Sequence, residues 1–139
     1  MAILQSSKVT SAAVNAMPGV GDGQSAKVMA STYSFTAAPA TSDVIQSPLI
    51  QSGSVITDVT VVTSGLGTSG AIIAGYGLDP DYFITTTAAV TGGVTRMNAA
   101  TALPLVLQEN DTVDVTIGTA GANATGTVTI IVTFLPRNA

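Results

Sequence analysis

Apolar β-branched residues recur at every second position in several segments of this chain. The clearest run lies near the C-terminus, where Val128, Ile130, Val132 and Phe134 alternate with Thr and Ile. A period of two puts successive side chains on opposite faces of a strand. Val, Ile and Thr also fit a pleated, half-buried surface. The pattern therefore predicts β-strands with one face turned toward a core.

The same pattern predicts the other strands, separated by segments rich in Gly, Asn, Asp and Pro. Val55, Val59 and Val61 are expected to face the core, and Asp58 the open side. No segment sustains a helical period, and at most one short helix is expected at 98–102. The remaining strand predictions are 28–36, 44–50, 55–62, 71–76, 82–86, 103–107 and 112–117. The turn predictions are Gly53, 65–70, 78–81, 92–93, 109–111 and 118–126. Seven or eight short strands predict an all-β protein, a single antiparallel β-sandwich or jelly roll.

The first 25 residues differ from the rest and end in the glycine cluster 18–23. We interpret 1–25 as an N-terminal arm or linker and 26–139 as the β-sandwich domain. The arm contains isolated apolar residues. It is either a frayed terminus or an extended arm that orders against a neighbouring subunit. In the second case the capsid or protomer interface residues are Ile3, Leu4, Val9 and Val14.

The chain has 139 residues with no Cys and no His. It can therefore have no disulfide, no thiol nucleophile and no Ser-His-Asp or Cys-His catalytic relay. Only 9% of the residues are charged, against about 25% in soluble domains. Ser, Thr, Asn and Gln must supply the polar surface, or other subunits must cover much of it. The composition favours a non-catalytic protein with no cofactor.

Binding to nucleic acid or insertion in a membrane is not expected. The chain has four cations, Lys8, Lys27, Arg96 and Arg137, against eight acids. A nucleic-acid surface needs several cations on one face. Residues 1–17 lack the apolar core of a signal peptide, and no stretch approaches the ~20 apolar residues of a spanning helix. The Asn-x-Thr sequences at Asn110 and Asn123 are interpreted as turns.

The segment Gly65-Leu-Gly-Thr-Ser-Gly70 matches the G-x-G-x-x-G pattern of dinucleotide-binding sites. In those sites the glycines open a helix whose N-terminus faces the pyrophosphate. Here residues 71–77 look like a strand, so we interpret 65–70 as a mobile hairpin loop.

Two groups of acids are the remaining candidates for chemistry: Asp79 and Asp81, which flank Pro80, and Asp111 and Asp114, which lie near Glu109. Clustered carboxylates can hold a Ca²⁺ ion, and Asp79 and Asp81 are the weak candidates for such a site. Paired carboxylates can also hydrolyse glycosides, but 4% aromatic residues leave little for a sugar platform. Asp-Pro-Asp is a common turn sequence, with Pro fixing φ. We therefore predict a turn here, with no metal and no catalytic residue.

Several segments, taken in order, resemble the small β-sandwich structural proteins of tailed-bacteriophage virions, in particular head decoration (cement) proteins. The most distinctive is Gly75-Tyr-Gly-Leu-Asp-Pro-Asp-Tyr-Phe83. The others are 53–62, Leu103-Pro104, 110–117 and 124–132. The resemblance covers roughly 42–134 and leaves the arm outside.

This resemblance implies a non-enzymatic protein on the outer capsid surface that stabilises the shell. It implies the major capsid protein as partner and a homo-oligomer, with a trimer favoured. The low charge is compatible, because burying an uncharged surface costs less desolvation. Two alternatives stay open. One is a carbohydrate-binding or adhesin-type fibre domain that uses Tyr33, Tyr76 or Tyr82. The other is a different virion component, such as a tail-tube, head–tail joining or coat subunit.

Overall fold

Two antiparallel β-sheets pack face to face in the computed structural model, which describes residues 26–137. No helix occurs in this range, and the all-β prediction is confirmed. The described residues form nine strands: β1 (Lys27–Ser34), β2 (Val44–Gln46), β3 (Val55–Thr63), β4 (Ala71–Tyr76), β5 (Asp79–Ala88), β6 (Gly93–Arg96), β7 (Leu105–Val106), β8 (Asp114–Thr119) and β9 (Thr127–Leu135).

The order of the strands defines a jelly roll. The first sheet has the order β1-β9-β3-β6, with β7 also paired to β3, and the second has the order β2-β8-β4-β5. The chain changes sheet at every connection except β4–β5 and β6–β7. If β6 and β7 are counted as one interrupted strand, each sheet has four strands, as in the double-sheet jelly rolls.

The core lies between the sheets and is built from the alternating apolar residues. Every second residue of β9 is buried from Val128 to Val132, as the period of two predicted. Each fully buried aliphatic or Phe side chain contributes about 1.5–3 kcal/mol relative to exposure. The largest fully buried side chains include Ile56, Leu66, Ile72, Phe83, Ile84, Ile117 and Ile130.

A β-bulge in β3 changes which residues face the core. The register with β9 shifts between Ile56 and Asp58, so one extra residue enters β3 at this point. Ile56 is therefore buried together with Val59 and Val61, and Val55 is only half-buried. The prediction that Val55 faces the core was wrong, because a bulge reverses the alternation on one side of itself.

The turn predicted at 78–81 lies earlier in the chain. Gly77 and Leu78 form the two-residue turn between β4 and β5, and Asp79 already pairs with Tyr76. Pro80 is tolerated because β5 is an edge strand and Pro lies near its start. The Asp-Pro-Asp sequence thus opens a strand instead of forming the turn.

Two smaller predictions also differ from the structure. The Gly-Gly turn was expected at 92–93, but Gly93 already begins the four-residue strand β6, which pairs with the end of β3 and was not predicted. Residues 98–102 form a turn and no helix, with the N–H of Ala102 donating to the carbonyl oxygen of Ala99 at 3.0 Å.

Candidate interaction surfaces

The four predicted interface residues of the N-terminal arm, Ile3, Leu4, Val9 and Val14, lie outside the described residues. The described chain begins at Ala26, directly before β1. Lys27 is aligned across the first sheet with Phe134, Ile56 and Leu105, so the arm joins the sandwich at the end where β3 and β7 pair.

The outer face of the first sheet is a nearly uncharged surface of β-branched and hydroxyl side chains. Side chains of paired residues form rows across the strands of this face. One such row consists of Thr32, Thr129, Val62 and Val94. The hydroxyls of Thr32 and Thr129 are hydrogen-bonded at 2.8 Å. Alternating hydroxyl and apolar groups of this kind can be buried against another protein at small desolvation cost.

An ion pair between Arg96 and Asp58 lies on this face, with a nitrogen–oxygen distance of 3.6 Å. Both side chains are well exposed, and such pairs contribute about 0–1 kcal/mol. Sequence reasoning placed Asp58 on the open side of its strand but did not pair it. Its partner, Arg96, lies on β6, and this strand was not predicted from the sequence. No sequence signal therefore indicated the ion pair.

A groove of about 390 Å³ lies at the end of the sandwich near the β4–β5 hairpin. Tyr76, Leu78 and Val106 supply apolar walls, and Glu109 and Asp111 supply carboxylates. Leu78 is 80% exposed. Asp111 is already engaged, because its Oδ2 accepts the N–H of Gly77 at 3.2 Å. The groove is therefore lined by both apolar and acidic side chains.

The distinctive segment 75–83 forms a small aromatic cluster beside this groove. The Tyr82 ring packs edge-on against Tyr76 and Phe83, with centroid distances of 5.4 and 5.0 Å. The hydroxyl of Tyr82 donates to the carbonyl oxygen of Leu103 at 3.3 Å. Tyr82 is therefore fixed within the fold, and Tyr76 is the tyrosine that lines the groove.

Asp79 and Asp81 lie next to each other at the start of β5. A hydrogen bond between the two side chains, together with the charge of Asp81, raises the pKa of Asp79. Among residues 26–137 no third His, Cys, Asp or Glu joins them to make a cluster that could hold a metal ion. In the same range no helix is long and apolar enough to cross a membrane.

The glycine segment 65–70 connects β3 of the first sheet to β4 of the second, so the expectation of a hairpin loop was wrong. Leu66 is fully buried in the core. Its N–H donates to the carbonyl oxygen of Ala89 at 2.7 Å, and its carbonyl accepts the N–H of Asn123 at 2.9 Å. Gly65 and Gly67 have positive φ angles of 101° and 87°, a backbone conformation that glycine adopts without strain. The glycines serve to bury Leu66 between two loops.

Asn110 and Asn123 both hold loops together, as the interpretation as turns suggested. The Nδ2 of Asn123 donates to the carbonyl oxygen of Gly65 at 2.8 Å. The Oδ1 of Asn110 accepts the N–H of Ser52 at 2.9 Å.

Comparison with solved structures places this fold among chains of bacteriophage capsids. In the structure titled "Capsid of Ralstonia phage GP4", a chain has a TM-score of 0.65 and 21% identity, over 89% of this chain and 93% of that chain. A chain of "Cyanophage Pam1 capsid asymmetric unit" has a TM-score of 0.71 and 20% identity, over 98% of this chain and 99% of that chain. A chain of "Acidic stable capsid structure of Helicobacter pylori bacteriophage KHP30" has a TM-score of 0.58 and 16% identity, over 81% of this chain and 90% of that chain. At these identities the similarity shows a shared fold.

No protein-family model matches the sequence, and no curated protein sequence matches it.

Proposed function

We propose that this protein is a non-enzymatic structural component of a bacteriophage virion. More narrowly, it is a decoration protein that binds the outer surface of the head and stabilises the shell. The observation that carries this proposal is the fold match with a chain of the cyanophage Pam1 capsid, which extends over nearly all of both chains.

The surface chemistry supports this function. A decoration protein acts through buried area and hydrogen bonds at subunit contacts, and it needs no activated nucleophile. Several large apolar side chains of the described residues are exposed, among them Leu49 at 66%, Leu78 at 80% and Leu103 at 65%. Exposed apolar side chains combined with 9% charged residues suit a surface that other proteins cover.

The charge distribution favours a position on the outside of the shell. A coat subunit that faces packaged DNA needs cations on its inner surface. This chain has four cations against eight acids, and Arg96 already pairs with Asp58. This balance argues against a coat subunit that lies on the genome.

The partners in this proposal are the major capsid protein and further copies of the chain, with a trimer favoured. Each copy of a trimer adds contacts to the shell, so modest affinity per copy gives tight overall binding. The N-terminal arm, with Ile3, Leu4, Val9 and Val14, extends over a capsid subunit or a sister protomer in this proposal.

Binding of the purified protein to phage heads that were assembled without it tests the function. We expect the full chain to co-sediment with these heads, to saturate at a fixed copy number, and to raise the temperature at which they release DNA. Deletion of residues 2–20 should leave the sandwich folded, as seen by circular dichroism, and lower the occupancy. Absence of the full chain from both purified virions and reconstituted heads would contradict a decoration role.

A carbohydrate-binding role is the second candidate, and one observation favours it. Tyr76 lines the groove of about 390 Å³ together with the polar side chains of Gln108 and Asn110. Aromatic faces beside amide and carboxylate groups can bind a sugar ring. Glycan-array binding that Tyr76→Ala abolishes and Tyr33→Ala leaves intact would favour this role over decoration.

A further inference from the structure

Among the strands of residues 26–137, three of the four sheet edges carry features that block pairing with another chain. β2 has three residues and is followed by Pro48. A second edge is formed by β6, which has four residues, and β7, which has two, and residues 97–104 separate these two strands. Short strands, prolines and interruptions are the usual means by which β-proteins prevent edge-to-edge association.

The edge of β5 is blocked most thoroughly. Pro80 lies near its start, and its register with β4 shifts twice. The connection between β6 and β7 covers the edge. Asn98 donates its N–H to the carbonyl oxygen of Phe83 at 3.0 Å, and its Oδ1 accepts the N–H of Thr85, also at 3.0 Å.

The edge of β1 has none of these features. β1 has eight residues, contains no Pro and pairs with β9 without a register shift. Its single charged residue, Lys27, is at its beginning. Within residues 26–137 it pairs with β9 alone, so its other side is an uninterrupted edge whose one charge lies at its beginning.

The register shows which backbone groups point to this edge. The N–H of Phe35 donates to the carbonyl oxygen of Gly126 at 2.9 Å, on the β9 side. Because N–H and C=O groups of an antiparallel strand alternate in direction, those of Tyr33, Ser31 and Met29 also point to β9. The groups of the alternate residues therefore point outward. These residues are Val28, Ala30, Thr32 and Ser34.

Two grooves run beside this edge, between β1 and the edge strand β2 of the other sheet. Their volumes are about 280 and 310 Å³, and Tyr33, Val44 and Ile45 line both. Tyr33 is 47% and Val44 is 51% exposed. A strand added to β1 would cover these apolar side chains as well as the backbone groups.

We propose that the open edge of β1 binds the N-terminal segment, residues 1–25, of a second copy of this chain as an added β-strand. The proposal deepens the function given above, on which it rests for the assembly of several copies. Strand addition to an exposed edge is a common recognition mode, in which main-chain hydrogen bonds supply affinity and side-chain grooves supply specificity.

The length of the segment and its point of attachment support this occupant. Fully extended, 25 residues span about 80 Å, and the eight residues of β1 span about 26 Å. The segment can leave one copy at Ala26, cross to another and still pair along the whole edge. A copy that gives its arm to one neighbour and receives an arm from another repeats one contact around a closed ring. If the arm instead folded back and paired with β1 of its own chain, no contact between copies would form.

Cross-linking tests the proposal directly, because the chain contains no cysteine. Val14→Cys is prepared with ¹⁵N labelling and Ala30→Cys without, and the two are mixed and treated with a short bismaleimide. We expect a cross-linked dimer that contains one chain of each mass. Thr86→Cys, on the covered edge strand β5, replaces Ala30→Cys as control and should give at least tenfold less product.

A proline variant tests the edge independently. Thr32 points its N–H outward, so Thr32→Pro removes no hydrogen bond between β1 and β9 but blocks an added strand. Thr32→Val is the matched control, since it loses the same hydroxyl and keeps the N–H. We expect light scattering to show the wild-type oligomer for Thr32→Val and a roughly tenfold weaker association for Thr32→Pro. Should Thr32→Pro fail to fold, Ala30→Pro serves the same purpose.

Three results would overturn the proposal. One is a cross-link only within single chains of the double variant Val14→Cys/Ala30→Cys, which would show a hairpin. Another is an Ala30–Ala30 cross-link between copies of Ala30→Cys, which would show pairing of β1 with itself. The third is unchanged association of the proline variant. If the copies bind each other's arms but the protein does not bind phage heads, the proposed decoration role is contradicted and this inference is not.

Discussion

A Cβ atom built on Gly75 would overlap the backbone carbonyl oxygen of Asp79. The two strands of the β4–β5 hairpin therefore approach as closely as they do only because residue 75 is glycine. This contact lies at the start of the segment 75–83, whose Tyr76 lines the groove.

Gly75→Ala should destabilise the protein by about 2–3 kcal/mol, because backbone atoms of Asp79 and Pro80 cannot move away as a flexible side chain could. Urea unfolding measures the change. Gly93→Ala is the control, since a Cβ there meets nothing within 4 Å, and its effect should stay within about 0.5 kcal/mol. Equal effects of the two substitutions would refute the close contact.

Ser47→Ala should cost about 1–3 kcal/mol. The Oγ of Ser47 accepts the N–H of Val113 at 2.9 Å and donates to the carbonyl oxygen of Pro48 at 2.9 Å, in a site where Ser47 is 5% exposed. Removal of the hydroxyl leaves a buried N–H without a partner. Thr32→Val removes an exposed hydroxyl and should change the free energy of unfolding by less than about 0.5 kcal/mol.

Leu66→Ala should destabilise by about 2–5 kcal/mol, the range for a buried Leu that leaves a cavity. Thermal unfolding of this variant and of Leu78→Ala makes the comparison, since Leu78 is 80% exposed. If Leu66 belonged to a loop outside the core, Leu66→Ala and Leu78→Ala would have the same melting temperature.

Asp81→Asn should lower the pKa of Asp79 toward the ordinary aspartate range, because Asp81 is the main cause of its rise. For an acid whose folded-state pKa is raised, the stabilising contribution is complete below the ordinary pKa and is lost as the pH rises through the raised value. The variant should therefore melt higher than wild type at neutral pH, with a difference that shrinks on acidification. Carboxyl chemical shifts followed by NMR give the pKa itself, and an unchanged titration of Asp79 would contradict the coupling.

The sequence predicted strands best where the alternation is uninterrupted. β9 lies where the pattern predicted it, because its inward residues are consistently apolar. In β3 the bulge near Thr57 reversed the assignment of Val55 and Ile56. A bulge depends on how two distant strands pair, and the local composition of β3 gives no sign of it.

The candidate site could be predicted only in part. The uncharged surface follows from composition, whereas the arm residues Ile3, Leu4, Val9 and Val14 stay a prediction. The covering of the β5 edge by Asn98 was not foreseen, because a single Asn in a connecting segment is an ordinary turn residue until its partner strand is known.

By itself the sequence determined that this chain is a β-protein with few charges and no residues for thiol or imidazole chemistry. These properties follow from residue types and their local period, which act before any distant contact forms. Only the tertiary structure decided that Leu66 enters the core and that β1 alone keeps an open edge among the described strands. Both results depend on pairings between residues far apart in the chain, such as Leu66 with Asn123 and Phe35 with Gly126.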